Sequence, residues 1–593
     1  MTAVDQSDAI RQRRVLGFDE LSLAVQERGD ATNPTVVLVH GYPDDHAVWD
    51  LVADRLAADH HVVTYDVRGA GASDVPSDRA GYRLEALVAD LDAVVEATSP
   101  DRPVHLVAHD WGSIQSWSAV TDPVVGRRFA SFTSMSGPGL DHVAAWIRAH
   151  RLPGGGRWRA ARRQAIRSWY IAAFRTPFPP LAWRRGRLAA GFPLMLERVE
   201  GAVVDDRWPG PNLVDNGVRG IELYRANMYG RTAPKVPPTT AIPVQLLVPV
   251  GDRYVTPALL DGMERVAPDL VRREIGGGHW IPRSKPDLVA RHVAEHVAAV
   301  EAGLAPEPAP DRDVVVVTGA GSGIGRSVCL AFAERGAHIV ATDLRPDAAA
   351  RTAELCRLLD GTAESHALDV TDADAFEALA QTVGDQHGAP SIVVNNAGLG
   401  MAGRFLDTTD EDWDLLLDVN LRGVIRGSRI FGRQMVAEGR VGHIVNVASA
   451  AAFTPSRTLS AYATSKAAVL MLTECLRAEL ADDAIGVSAI CPGFVDTGIA
   501  TATRYVGTSD AEQEARRRSA DRMYKRRRVT PDAVADAVLR AVDGNRPLVP
   551  VAVEARLGLL TQRFAPHLRR AIARIDLTPP TRTSPARSEE AVS

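Results

Sequence analysis

A chain of 593 residues is too long for one compact core; at about 150 residues per domain it sets a prior of roughly four domains, or two of the large α/β kind. Hydrophobic residues make up 46% and charged residues 24%, the balance of a water-soluble folded chain, which excludes disorder, collagen and a pure coiled coil as overall descriptions. The net charge of −5 argues against a global electrostatic footprint for nucleic acid.

The opening MTAVDQSDAI has no charged start before an apolar run, and no stretch of about 18 uninterrupted apolar residues occurs, so secretion and membrane spanning are not expected. Cys329, Cys356, Cys475 and Cys491 lack CxxC spacing, and no histidines are spaced as metal ligands. Buried thiols, a cytoplasmic location and no metal are expected. Only four of the 68 basic residues are lysine, a bias that fits a GC-rich genome.

In chain order, TVVLVHG, HVVTYDVRG, PVHLVAHD, RFASFTSMSG and PVQLLVPVGD read as strands separated by helical segments, the pattern of a mainly parallel sheet. Residues 140–235 break the alternation and read as an inserted helical cap. Residues 306–311, in the Ala- and Pro-rich AGLAPEPAPDRD, are expected to link a first domain (1–305) to a second (312–576). There DVVVVTGAG, HIVATDL, IVVNNAG, GHIVNVAS and GVSAICPGF repeat the rhythm of a doubly wound sheet. Residues 577–593 are polar and Pro-rich, and disorder is expected.

In the first domain, His109-Asp110-Trp111-Gly112 ends a strand and opens a helix, the setting of a nucleophile elbow with Asp110 where an esterase carries serine. A carboxylate nucleophile attacks an alkyl carbon and gives an ester that must then be hydrolysed. The turn His40-Gly41-Tyr42-Pro43 can bring the Tyr42 N–H beside that of Trp111 as an oxyanion hole. His279, in GGHW, comes last in the order of nucleophile, acid and histidine. Its expected partner is Asp252, with Asp141 as the second choice.

These motifs, with DVRGAGAS, resemble the α/β-hydrolase superfamily over residues 15–300. An aspartate followed by Trp is similar to epoxide hydrolases and haloalkane dehalogenases. The cap segments SWYIAAFRTP and ELYRANM resemble those carrying the tyrosine pair of epoxide hydrolases, which implies Tyr170 and Tyr224 as proton donors to the opening ring. Haloalkane dehalogenase activity is the alternative.

In the second domain, Gly319, Gly321, Ser322, Gly323, Ile324 and Gly325 lie between strand and helix, where a glycine-rich loop lets a pyrophosphate approach a helix N-terminus. Asp343 ends the next strand, where a carboxylate accepts ribose hydroxyls and repels a 2′-phosphate; NAD is favoured, and Arg326 and Arg345 keep NADP open. Tyr462 and Lys466 are four apart, on one helix face, so the ammonium is expected to lower the phenol's pKa. Ser449, 13 residues upstream, is placed to bond the substrate oxygen.

Residues 312–555 resemble the short-chain dehydrogenase/reductase family. That resemblance implies Asp369 and Val370 at the adenine, Asn396, Ala397, Gly398, Pro492, Gly493 and Val495 among the cofactor-binding residues, and Thr497 at the carboxamide. It further implies Asn420 holding a water of the proton relay, Lys466 on the nicotinamide ribose, and a homo-oligomer formed through this domain. The fusion as a whole resembles the D-type class of mycobacterial epoxide hydrolases, implying small-molecule or lipid-like epoxide, alcohol and carbonyl substrates.

Three function classes stay open: a bifunctional enzyme, a dehydrogenase carrying a hydrolase-like binding module, and a peripheral membrane assembly. For the last, the arginines at 148, 151, 157, 159, 162, 163 and 167, and the amphipathic stretch 555–575 with Pro566 inside it, are the candidate contacts. A solvated helix face and a core-closing or dimer-forming helix are their competing readings.

Overall fold

The computed structural model describes residues 10–150, 155–185, 187–229, 232–304, 312–359, 361–495, 498, 502–527 and 529–574. The expected linker 306–311, the tail 577–593, Arg151 and Thr497 lie outside them. Contacts divide the chain into two compact units, Met1–Ala309 and Pro310–Ser593.

Among the described residues the first unit holds eight strands: β1 (Arg11–Leu16), β2 (Ser22–Arg28), β3 (Thr35–Val39), β4 (His61–Tyr65), β5 (Val104–His109), β6 (Phe129–Met135), β7 (Val244–Pro249) and β8 (Leu270–Ile275). They form one sheet in the order β1-β2-β4-β3-β5-β6-β7-β8, antiparallel at β1, β2 and β4 and parallel from β4 to β8. Strands β3, β4, β5 and β7 are buried at every position, as expected where helices cover both faces. The hairpin β1–β2 is the part that apolar runs do not announce. RQRRVL buries only Val15, and SLAVQER alternates buried and half-buried positions because it lies near the sheet edge.

Between β6 and β7 the described residues 140–229 form helices Leu140–Ala149, Gly155–Arg167, Trp169–Ala173, Phe178–Arg184, Arg187–Glu200, Leu213–Arg219 and Ile221–Asn227, with no strand among them. This is the helical insertion, and it seats its aromatic side chains on the core through Tyr170, Phe174 and Tyr224. Arg159, Arg162 and Arg163 of its basic segment are exposed, whereas Arg167 donates to the Asp252 carbonyl at 2.5 Å and Arg148 to that of Pro234 at 2.7 Å.

The second unit adds β9 (Val314–Thr318), β10 (His338–Asp343), β11 (Thr362–Ala367), β12 (Ile392–Asn395), β13 (Met401–Ala402), β14 (Gly442–Val447), β15 (Ile485–Pro492), β16 (Arg504–Tyr505) and β17 (Leu548–Val551). Seven of them form a parallel sheet in the order β11-β10-β9-β12-β14-β15-β17, with β13 and β16 paired apart. The order reverses between β9 and β12, the crevice where doubly wound sheets bind dinucleotides. Near the C-terminus, Pro566 opens a second helix (Pro566–Ile572) after Val553–Phe564. Ala555 and Gly558 are buried against the core, while Val553, Leu557, Leu560, Phe564 and Leu568 are exposed. No helix among the described residues is long and apolar enough to cross a membrane.

Candidate functional site

Asp110 joins β5 to helix Trp111–Val120 with φ 49° and ψ −121°, a conformation that costs a non-glycine residue of order 1–3 kcal/mol and persists only where surrounding structure imposes it. The imposition is visible. Asp110 N–H donates to the Met135 carbonyl at 3.0 Å, and its own carbonyl accepts from Ile114 at 2.9 Å. A side chain on Gly112 would lie 2.3 Å from the Val39 carbonyl oxygen, so the helix can pack this close to β3 only with glycine there.

The two carboxylate oxygens of Asp110 face different partners. Oδ2 accepts the Tyr42 N–H at 2.8 Å, and the Trp111 N–H also bonds the carboxylate; Oδ1 lies 3.8 Å from His279 Nε2. Burial pushes the Asp110 pKa up, against the pull of His279 and the two backbone donors. The Tyr42 phenol reaches into the cap, donating to the Gly217 carbonyl at 3.0 Å and accepting from Trp183 Nε1 at 2.9 Å.

His279 is held on three sides. Its Nδ1 meets Asp252 Oδ2 at 2.9 Å, its N–H donates to Glu200 Oε2 at 2.6 Å, and its carbonyl accepts from His109 Nε2 at 2.8 Å. Asp252 Oδ1 in turn accepts the N–H groups of Tyr254 and Val255 at 2.7 and 2.9 Å, while Asp141 sits in the first turn of the cap helix Leu140–Ala149. Burial opposes the imidazolium, but the charge and hydrogen bond of Asp252, with Asp110 and Glu200, outweigh it and lift His279 to about 9. Burial and the neighbouring His279 instead press His109 down to about 3, so it stays neutral. The motif HDWG contains His109 without marking its task, and nothing in the sequence around Glu200 signals its contact.

Tyr170 and Tyr224 come together, with ring centroids 5.9 Å apart. Tyr224 also lies edge-on to Trp111 at 4.9 Å, Phe174 at 4.8 Å and Tyr42 at 5.5 Å, and Tyr170 meets Tyr254 at 5.6 Å. Burial, reinforced by the Asp110 charge, raises both phenols well above their ordinary value, and both are protonated at neutral pH.

In the second unit, Gly319 (φ 65°) follows β9, Ser322 stands at the N-cap, and Gly323, Ile324 and Gly325 open helix Gly323–Ala333. A side chain on Gly325 would lie 2.2 Å from the Gly319 carbonyl oxygen. The loop is therefore bare backbone beside a helix N-terminus, a cradle fitted to a pyrophosphate. Asp343 ends β10 and accepts the Gly321 N–H at 2.9 Å, with Arg345 Nε 3.7 Å from its other oxygen. Arg326 caps the same loop, bonding the Gly321 carbonyl and Thr352.

Asn396 ties the loop from behind, its Nδ2 donating to the Thr318 and Gly319 carbonyls at 3.0 and 3.1 Å, and Ala397 N–H donates to Thr318 Oγ1 at 3.1 Å. Asp369 and Val370 follow β11, with Asp369 Oδ1 accepting the Thr371 N–H at 2.9 Å and Val370 buried. Pro492 ends β15, Gly493 N–H donates to the Val551 carbonyl, and Val495 is buried. A side chain on Gly398 would lie 3.1 Å from Asn420 Oδ1 and 3.4 Å from Lys466 Nζ, so these residues converge on one spot.

Ser449, at the turn after β14, hydrogen-bonds Tyr462, which is in helix Ser460–Glu479 with Lys466. The expected lowering of the phenol by the ammonium is not what this arrangement gives. Burial raises the Tyr462 pKa, Ser449 opposes it, and Lys466 Nζ instead donates to the Val447 carbonyl at 2.9 Å. Lys466 itself is pressed down to about 8 by burial. Asn420, in a π-turn over Asp418–Arg422, uses both side-chain atoms on Leu399, accepting its N–H at 2.8 Å and donating to its carbonyl at 3.0 Å.

Residues 34–286 match the alpha/beta hydrolase fold family and residues 313–505 the short chain dehydrogenase family. The chain is 41% identical over 586 residues to the probable oxidoreductase EphD of Mycobacterium tuberculosis (strain H37Rv), covering 94% of this chain and 97% of that one. A solved short-chain dehydrogenase/reductase from Burkholderia phymatum, in complex with NAD, is 30% identical and covers 47% of this chain and 100% of its own, with a TM-score of 0.41. A solved epoxide hydrolase from Bacillus megaterium is 21% identical and covers 48% of this chain and 100% of its own, with a TM-score of 0.42. The chain thus belongs to the family of two-domain enzymes, shared with its mycobacterial relative, in which an α/β-hydrolase-fold domain precedes a short-chain dehydrogenase domain.

Proposed function

We propose that the first domain hydrolyses epoxides through an ester on Asp110 and that the second interconverts an alcohol and a carbonyl with NAD(P), both on lipid-like substrates. The observation that carries the first reading is the split environment of Asp110. One oxygen is already held by the Tyr42 N–H and the other faces His279, with two protonated phenols in the same aromatic shell.

In this reading Asp110 Oδ1 attacks an epoxide carbon, and the carbon–oxygen bond of the ring breaks with its electron pair on oxygen. That oxygen takes a proton from Tyr170 or Tyr224. Esterification removes the Asp110 charge, one of the groups that hold His279 protonated, so the imidazolium gives its proton through solvent to the phenolate and is left as a base. Water that has given a proton to His279 Nε2 adds to the ester carbonyl, and charge gathers on Oδ2 between the Tyr42 and Trp111 N–H groups. Collapse breaks the acyl carbon–oxygen bond, the leaving alkoxide takes the proton from His279 to give the diol, and the new carboxylic acid passes its proton back to His279 and regenerates the carboxylate.

In the second domain, bound NAD(P) supplies the hydride acceptor or donor. The glycine loop and Asn396 hold the pyrophosphate side, and Asp343 takes the ribose hydroxyls, which favours NAD. Tyr462 gives or takes the proton at the substrate oxygen, oriented by Ser449, and buried Lys466 supplies a cation on the same face. Intact-mass analysis of the full chain after incubation with a panel of lipid epoxides and NAD tests both halves. An ester adduct on Asp110 and a two-electron change in substrate are expected, and an enzyme that leaves every epoxide unchanged defeats the first assignment. A second reading, halide release, rests on Trp111, whose buried ring packs on Tyr224 and carries an N–H donor, and preferential turnover of haloalkanes would select it.

A further inference from the structure

Histidines 338, 366 and 387 are scattered in the sequence, yet the fold of the dehydrogenase domain gathers all three around Glu364. His338 opens β10, Glu364 and His366 are in the edge strand β11, and His387 is the last residue of helix Ala373–His387, which covers that face. The Nε2 atoms of His338, His366 and His387 lie 4.0, 3.3 and 3.5 Å from Glu364 Oε1. The rings of His338 and His387 sit 4.2 Å apart.

These four facing atoms are all buried, and none has a hydrogen-bond partner of acceptable geometry. Buried polar atoms are nearly always paired, so four orphans meeting at one point call for an explanation. His338 Nδ1 pairs with Thr362 Oγ1 at 2.8 Å, which directs Nε2 at Glu364. A fixed outer nitrogen of this kind is what orients a ligating histidine.

We propose that His338, Glu364 and His387 bind a divalent ion of the zinc class, with His366 or water as the fourth ligand. Their donor atoms lie within 4.8 Å of one another. Bonds of about 2.0–2.1 Å in a tetrahedral centre separate the ligand atoms by roughly 3.3 Å, so the 3.5 and 4.0 Å separations of His387 and His338 from Glu364 need to close by roughly 0.2 and 0.7 Å. Imidazole nitrogen with one carboxylate suits zinc and its transition-metal neighbours, whereas calcium and magnesium take oxygen shells. The ion would staple the edge strand β11, which runs on to Asp369 and Val370, to the helix covering it.

The test uses the full chain without a polyhistidine tag, stripped with EDTA, returned to chelator-free buffer and titrated with zinc chloride. One zinc per chain is expected by calorimetry and elemental analysis, with a raised melting temperature that excess magnesium does not reproduce. In the His338→Ala/His387→Ala double variant, affinity should fall at least tenfold and the thermal shift should vanish, with NAD binding retained as a check on folding. Equal zinc binding by wild type and double variant, or none by either, overturns the proposal. Cobalt(II) added to the wild-type chain reads the site without any substitution: intense visible bands of a four-coordinate centre support it, and the pale spectrum of a hydrated ion refutes it.

Discussion

Glu200, the last residue of a cap helix, accepts the backbone N–H of His279 at 2.6 Å, so the cap grips the main chain of the proposed water-activating histidine. Its charge is also among those raising the imidazole pKa. In Glu200→Gln the acceptor remains and the charge goes, so the pH profile of ester hydrolysis should move to lower pH while alkylation is little changed. Glu200→Ala should add a stability loss of about 1–3 kcal/mol from the unpaired buried N–H. A pH profile that does not move in either variant would reduce Glu200 to a packing residue.

The two steps of the first site should separate by mutation. Asp110→Ala abolishes epoxide opening, whereas His279→Gln still alkylates and then stalls, so intact mass reveals an accumulated adduct. Replacing Tyr170 and Tyr224 together by Phe removes both proton donors and should slow alkylation by more than a hundredfold, within the ~10²–10⁴ span of general acid catalysis. Normal opening by that double variant would hand the site to the halide reading.

Stability should depend on pH through His279. Its folded pKa of about 9 lies above the ordinary imidazole value of about 6.5, so its stabilisation is complete below about 6.5 and lost as pH rises through 9. The shift corresponds to about 3 kcal/mol at most. His109 and His296 have the opposite sign: pressed down to about 3 and about 4 by burial, they destabilise the fold when pH falls below about 6.5. Denaturant titrations of wild type should therefore show greatest stability of the first domain near pH 6.5. In His279→Gln the decline from pH 6.5 to 9 should flatten, and an undiminished decline would contradict the assignment.

For the second site, Tyr462→Phe should eliminate hydride transfer with NAD affinity intact, because the phenol acts on substrate and the glycine loop on cofactor. Asp343→Ala should weaken NAD and relatively favour NADP, read as a ratio of dissociation constants. A wild-type enzyme that strongly prefers NADP would show that Arg326 and Arg345 govern the ribose instead.

Deleting residues 556–593 removes Gly558, which is buried near Phe453 and Thr454, together with Leu559, which packs on the same cluster. A lowered melting temperature is expected. Loss of binding to anionic vesicles with the melting temperature unchanged would assign the exposed Leu557, Leu560 and Phe564 face to a lipid surface instead.

Much of this protein is legible in the sequence because its chemistry sits where strands end. Apolar runs such as VVLV and VVVV mark buried parallel strands, and Asp110, His279, Asp343 and Ser449 all lie at or just after strand ends, within short local motifs. Edge strands are harder to read: β11, TAESHA, and β1, RQRRVL, carry too little buried apolar surface to signal themselves.

Periodicity and spacing fix which backbone turns form and which residue types those turns present, since both depend on neighbours a few positions apart. Contacts between distant segments have no such signature, and only the tertiary structure decides them. Glu200 reaches His279 across 79 positions, and His109 reaches it across 170. Lys466 points to Val447 rather than towards the phenol four residues away, because burial leaves the ammonium in need of a carbonyl that β14 supplies. The histidines around Glu364 meet for the same reason: parallel pairing of β10 with β11 and the return of a helix over both bring together side chains that no sequence spacing relates.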